Sequence, residues 1–128
     1  MPKFYVTTSI PYINGPPHLG HAMEFIIADV IARHARIQGY DVIFSTGTDE
    51  HGGKIADKAQ EKHLSPKDYA DKAAKPFKDL TALLEISNNR FIRTTDASHE
   101  ASAKLIWQKL KADIYKHLCK GYAFALSA

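Results

Sequence analysis

Cysteine is nearly absent from this chain. One thiol, Cys119, stands among 128 residues, so no disulfide can close within it and no zinc knuckle built on several thiolates can form. That usage suits a reducing compartment, and a cytoplasmic location is expected. Long apolar runs are missing as well. None reaches the ~18 residues of a membrane span, and the start "MPKFYVTT" has no signal-peptide core, so no membrane partner is expected. There is no block of like charge either. The 17 lysines and arginines are scattered, and a net charge of +3 is compatible with a polyanionic partner without pointing to one. No G-x-G-x-x-G follows the first strand-like segment, which sets a dinucleotide site aside. Repeats, low-complexity tracts and linkers are also lacking. What remains, 45% hydrophobic and 24% charged, is the make-up of one globular domain or one piece of a larger one.

The patterning that is present is regular. "FYVTTSI", residues 4–10, is aromatic and β-branched and predicts a strand. From about Gly20 to Gln38 the period becomes helical. Met23, Ile27, Val30, His34 and Ile37 form one stripe, expected to face the core, and Asp29, Arg33 and Arg36 share the opposite face. Gly39 is the expected left-handed stop. "YDVIFSTG" then reads as a buried parallel strand. Strand, loop, helix, strand makes a βαβ unit, whose right-handed crossover leaves the strands parallel. A short helix is predicted over Ile55 to Lys62. Ser65, Pro66 and Asp68 predict the start of another, striped by Tyr69, Ala73, Phe77, Leu80 and Leu84, with a kink or break at Pro76. "NNRFIRTTD" predicts loop plus a short strand. Asp96 begins a last helix lined by Ala103, Trp107, Leu110, Ile114 and Leu118, a face read as core.

The chemistry gathers where these elements join. Open α/β folds bind ligands at the C-terminal ends of parallel strands. Two such ends are predicted side by side, leading into "PYINGPPHLGH" and "STGTDEHGG". Asn14-Gly15 turns the first loop and Pro16-Pro17 stiffens it. The following helix aims its N-terminus, with free N–H groups and positive dipole end, at the crevice. His18 and His21 project from one face of its first turn, and Gly20 allows a ligand to lie against backbone. An anion such as a triphosphate suits this arrangement. Across from it Asp49 suits an amine or a ribose hydroxyl, and His51 is open between ligand contact and bracing of the loop. Glu50 reads as a solvated acid.

With those residues in view, "PYINGPPHLGHA" resembles the HIGH motif of class I aminoacyl-tRNA synthetases, on His18, Leu19, Gly20 and His21. Together with "GTDEHGGKI" and "FIRTTD", in that order, the chain is similar to the methionyl-tRNA synthetase family from about Lys3 to Tyr115. The resemblance implies a partial Rossmann-like (HUP-type) α/β fold, a parallel sheet with flanking helices. It makes residues 1–118 an N-terminal portion of the catalytic domain and leaves 119–128 unassigned. It implies activation of methionine by ATP to the adenylate, then transfer to tRNA. By position, His18 and His21 would be catalytic and bind ATP together with Gly20. Ile10, Tyr12 and Asp49 would bind methionine, with His51 a possible addition. Magnesium would arrive with ATP, and neither a protein metal site nor bound zinc is expected in this segment.

The departures define the alternatives. A Lys-Met-Ser-Lys-Ser-like loop is absent from these residues, and the resemblance assigns no family position to "KHLCKGYAFALSA". The implied partners are methionine, ATP, tRNA and a missing C-terminal part of the synthetase. The isolated chain is expected to bind ATP and methionine weakly. A non-catalytic fragment binding tRNA or a partner is the second reading. A zinc-dependent hydrolase using His18, His21, Asp49 and His51 is the third.

Overall fold

The computed structural model describes the backbone of residues 1–121 and the side chains as far as residue 111. The order is strand β1 (Lys3–Thr7), helix α1 (Leu19–Ile37), strand β2 (Asp41–Thr48), helices α2 (Gly53–Glu61) and α3 (Pro66–Leu83), strand β3 (Arg90–Arg93) and helix α4 (Ala97–Gly121). The three strands form one sheet in the order β1-β2-β3, parallel throughout. This is the α/β parallel sheet with flanking helices that the βαβ pattern predicts. The chain divides into two units, one ending at Thr95 and one beginning at Asp96. The unassigned end, 119–128, falls outside the described side chains, as do Ile114 and Leu118 of the predicted last stripe.

Strand β1 stops three residues short of its predicted end. The Thr8 amide still reaches the Ser45 carbonyl (3.2 Å), but the Ser9 amide turns to Glu24 Oε1 at 2.6 Å and its hydroxyl to Oε2 at 2.9 Å. A carboxylate on α1 thus takes the donor that a longer ladder would have used.

Helix α1 reverses the predicted assignment of faces. Phe25, Ala28, Asp29, Ala32 and Ala35 are buried, and Ala28, Ala32 and Ala35 pack with Val42 and Phe44 of β2. The larger apolar residues are on the outside: Met23, Ile27, Val30 and Ile37 are 62%, 54%, 61% and 84% exposed, and His34 is exposed with them. The reason lies in size and charge together. Alanines let the helix axis approach the sheet closely, and the polar residues beside them have partners waiting. Asp29 Oδ1 accepts the Ser87 amide (2.7 Å) and hydroxyl, and Oδ2 accepts Arg33 Nε at 2.6 Å. Arg33 and Arg36 donate onward to the carbonyls of Glu85 (2.6 Å) and Ser87 (2.9 Å). The charged face is therefore a clamp on the segment before β3.

Helix α3 behaves as its cap predicts. Ser65 Oγ accepts the Asp68 amide at 3.1 Å, and Pro66 occupies the first turn. Tyr69 and Phe77 are buried in a second core cluster with Ile13, Ile55, Ala59, Ala70 and Ala74. The predicted break at Pro76 does not occur, and the helix runs unbroken to Leu83. Pro76 lies on the exposed side, where water can serve the carbonyl one turn back that proline's missing N–H leaves without its helical donor. In the second unit Trp107 and Leu110 are 54% and 46% exposed. The stripe read as core on α4 is thus a solvent-facing one among the described residues. Helical spacing defines a stripe but supplies no surface to cover it.

One position between β2 and β3 tolerates no side chain. A Cβ on Gly47 would sit 1.9 Å from the carbonyl oxygen of Ile92, its register partner. Gly47→Ala is expected to force these strands apart and cost about 3 kcal/mol or more, in the upper range for overpacking, read as a lowered urea midpoint.

A pH effect follows from Asp29. Burial pushes its carboxyl pKa up, but hydrogen bonds from Ser87 and Arg33 outweigh burial and hold it below the ordinary value. The unfolded chain then takes up the proton first as pH falls. The stabilisation is fully present above about pH 4 and is lost as pH drops through the lower folded value. Asp29→Asn should lower stability at pH 7 and flatten the pH dependence of the urea midpoint below about pH 4.

Candidate functional site

The two strand-end loops are joined backbone to backbone. Beyond the β1–β2 ladder, Tyr12 and Asp49 form an isolated parallel bridge. The Asp49 amide donates to Pro11 O (2.8 Å), and the Ile13 amide donates to Asp49 O (3.2 Å). Ile13 is fully buried in the α2–α3 cluster, so the first loop is anchored at its middle. Its later part, Asn14 to Pro16, stays exposed. The two loops are neighbours, as parallel strands require.

His18 and His21 build the start of α1. His18 is the N-cap, and its Nδ1 accepts the Gly20 amide at 3.1 Å. His21 Nδ1 accepts the His18 amide at 3.1 Å. This is a capping box made from two imidazoles, whose rings stack with centroids 3.7 Å apart. The edge of Phe77 closes on His21 at 5.3 Å. Two consequences follow. The helix N-terminus is less open than expected, because its own histidines take the Gly20 and His18 amides. And each neutral ring, accepting at Nδ1, carries its proton on Nε2. Burial and the neighbouring His18 lower the His21 pKa, partly offset by Glu24, so the neutral ring prevails at neutral pH. The pair therefore offers two Nε2–H donors. Gly20 has a local use as well: a Cβ there would press on the His18 ring at 3.0 Å. A groove of about 310 Å³ runs past His18, lined by Pro17, Leu19, Ala22 and Leu80. A cleft of about 360 Å³ beside Asn14, Gly15, Lys58 and Lys72 includes neither imidazole.

The second loop places three consecutive side chains in three environments. Asp49 is half-buried, and its carboxylate makes no hydrogen bond or ion pair among the described residues. His51 Nε2 donates to the Thr94 carbonyl at 3.1 Å, so it braces the loop to the end of β3. Glu50, read from the sequence as solvated, is 3% exposed. Its carboxylate accepts Thr48 Oγ1 (2.6 Å), Thr95 Oγ1 (2.5 Å) and both Nε and Nη2 of Arg93 (2.7 and 2.9 Å). Burial pushes the Glu50 pKa up, yet these donors outweigh it and keep the carboxyl ionised below the usual range. Arg93, its own pKa raised chiefly by Glu50, also reaches Asp71 Oδ1 on α3 at 2.7 Å. Glu50 and Arg93 are what the sequence reading missed. A signal existed: period-two alternation from Val42 through Phe44, Thr46 and Thr48 lands on Glu50, and all five are buried. The same alternation sends Asp49 to the opposite face.

Of the remaining candidates, Ile10 is 39% exposed at the mouth of the first loop, and Tyr12 is half-buried against the α2–α3 cluster. The Tyr12 hydroxyl lies 2.8 Å from where a Cβ on Gly52 would be. Gly52 has φ +126°, a conformation few other residues adopt. No group of three or more His, Cys, Asp or Glu side chains comes together as a metal cage among the described residues. The hydrolase alternative thus has no assembled ligand set there.

Comparison with known proteins decides the family. The model for class I tRNA synthetases (M) matches residues 4–124. This chain belongs to the class I tRNA synthetases. Within the family it is similar to methionine–tRNA ligases: 47% identical over 122 residues to that of Thermotoga maritima, covering 94% of this chain and 19% of the relative. It is 50% identical over 116 residues to that of Lactiplantibacillus plantarum, covering 89% of this chain and 17% of the relative. Mycobacterium tuberculosis methionyl-tRNA synthetase, solved in complex with methionyl-adenylate, superposes with a TM-score of 0.84 at 46% identity, covering 88% of this chain and 22% of that one. The chain thus spans about a fifth of the length of the synthetases it matches.

The His21 environment is directly measurable. Its midpoint in an NMR titration of the ring Cε1–H should fall below the ordinary histidine value, and Glu24→Gln should lower it further by removing the one charge that favours protonation.

Proposed function

We propose that this chain handles ATP and methionine as the N-terminal portion, residues 1–118, of a methionine–tRNA ligase catalytic domain. The observation that carries the reading is the stacked imidazole cap of α1, with both Nδ1 atoms engaged as acceptors so that Nε2 is left to donate. Its loop is stitched to one whose Asp49 carboxylate has no hydrogen-bond or ion-pair partner among the described residues. In the overall reaction a methionine carboxylate oxygen bonds to the α-phosphorus of ATP and pyrophosphate departs. A ribose hydroxyl of tRNA then attacks the activated carbonyl and releases AMP. His18 and His21 donate Nε2–H to phosphate oxygens and follow the charge that builds there, an electrostatic role for preorganised donors. Neutral rings suit it, because they donate without being neutralised by the ligand. Gly20 lies under the nucleotide, Asp49 holds the ammonium group, and Ile10 and Tyr12 border the side chain, with His51 adjoining. Magnesium enters with ATP as substrate. The methionyl-adenylate held by the Mycobacterium relative supports this substrate pair. A cytoplasmic setting and tRNA as partner belong to the same proposal.

The non-catalytic reading keeps one observation in its favour: these 128 residues contain no Lys-Met-Ser-Lys-Ser-like loop. Calorimetric titration separates binding from none. Weak heats with both ATP-magnesium and methionine are expected. His21→Ala should weaken ATP by about tenfold, the worth of one charge-assisted hydrogen bond, and leave methionine unchanged. Silence with both ligands overturns the proposal. Methionine-dependent pyrophosphate–ATP exchange, abolished by His21→Ala, would exclude the non-catalytic reading.

A further inference from the structure

Among the described residues Asp49 has no side-chain partner to hold it, yet an ammonium site must be held to within a fraction of an ångström to be useful. Its position must come from the backbone, and that backbone is fixed by its neighbour. Glu50 is buried with four side-chain donor contacts on one carboxylate, from Thr48, Thr95 and the two nitrogens of Arg93. Its own amide accepts no freedom either, donating to Thr94 Oγ1 at 2.8 Å. Arg93 is tied in turn to Asp71 on α3. On the other flank His51 holds the Thr94 carbonyl. The segment 49–51 is therefore pinned to the end of β3 at residue 50 and at residue 51. Through Asp49 it is pinned to Pro11 and Ile13 of the first loop.

We propose that Glu50 is a positioning residue for the methionine side of this site: locked beneath Arg93, Thr48 and Thr95, it sets the backbone from which Asp49 and His51 extend. The inference rests on the ATP- and methionine-handling reading for what Asp49 touches, but not for how Asp49 is held. A carboxylate is needed because four donors converge on one point. An amide at that point would present its NH2 to hydroxyls or guanidinium and lose part of the set. Arginine is needed because its fork delivers two parallel bonds to Glu50 while still reaching Asp71.

Glu50→Gln in the 128-residue chain tests this, since it keeps the side-chain shape and leaves Arg93 its pair with Asp71. Amide hydrogen exchange at Ile13, Asp49 and Glu50, the hydrogen-bonded amides of the two loops, should quicken at least tenfold, with Phe25 and Phe44 unchanged. Methionine affinity should fall about tenfold and ATP-magnesium affinity less than twofold, because the imidazole cap does not depend on Glu50. Arg93→Lys, which keeps charge but not the fork, should fall between wild type and Glu50→Gln. Unchanged exchange at the loop overturns the proposal. So does acceleration spread evenly over the unit, or equal loss of methionine and ATP, since either marks Glu50 as a general stabiliser. If the wild-type chain binds no methionine while the loop amides still loosen selectively, the substrate reading fails and the positioning role stands.

Discussion

Two backbone hydrogen bonds lie just past the end of a parallel ladder, between Asp49 and the segment Pro11 to Ile13. The rest of the site depends on them. Parallel strands that simply diverged would leave two loops to wander separately. Here the pairing continues for one bridge after both strands have ended, so the loop that leads to the imidazoles and the loop that bears the Asp49 carboxylate are tied together. Each is then secured from behind, the first by Ile13 in the α2–α3 core and the second by Glu50 under the end of β3. The candidate groups His18, His21 and Asp49 stay comparatively exposed. At Asp49 the anchor is the adjacent residue, Glu50.

The same division appears along β2. Its inward positions, continued past its end at Thr48, run from apolar to hydroxyl to charged: Val42 and Phe44 against α1, then Thr46 bonded to Thr8 at 2.7 Å, then Thr48 and, in the loop beyond, Glu50. A strand whose buried face changes chemistry along its length serves as core at one end and as the frame of a site at the other. The desolvation of Glu50 would be costly alone. It is offset by an arginine whose second partner, Asp71, draws α3 into the same network.

Helix α1 carries two candidate inner faces, and only one is covered among the described residues. The alanine face meets the sheet while Met23, Ile26, Ile27, Val30 and Ile31 remain outside. The family's relatives are about five times longer than this chain, so a face that reads as core in the sequence need not find its cover within these residues.

The order of elements was legible because it rests on local physics. β-branched runs, the Ser65-Pro66 start, Gly39 with φ +84° and the change of period each act over a few residues. So was the adjacency of the two strand-end loops, bridged at Tyr12 and Asp49, which follows from chain direction in a βαβ unit. What the sequence left open was which partner each face meets. Asp29 is joined to Ser87, 58 residues away, and Glu50 to Arg93, 43 residues away. Periodicity announces that a stripe exists, but burial is a relation between two surfaces. Only the packed structure decided that the charged side of α1 is an inner clamp, that Pro76 rides on a wet face, and that the acid beside Asp49 is a buried anchor.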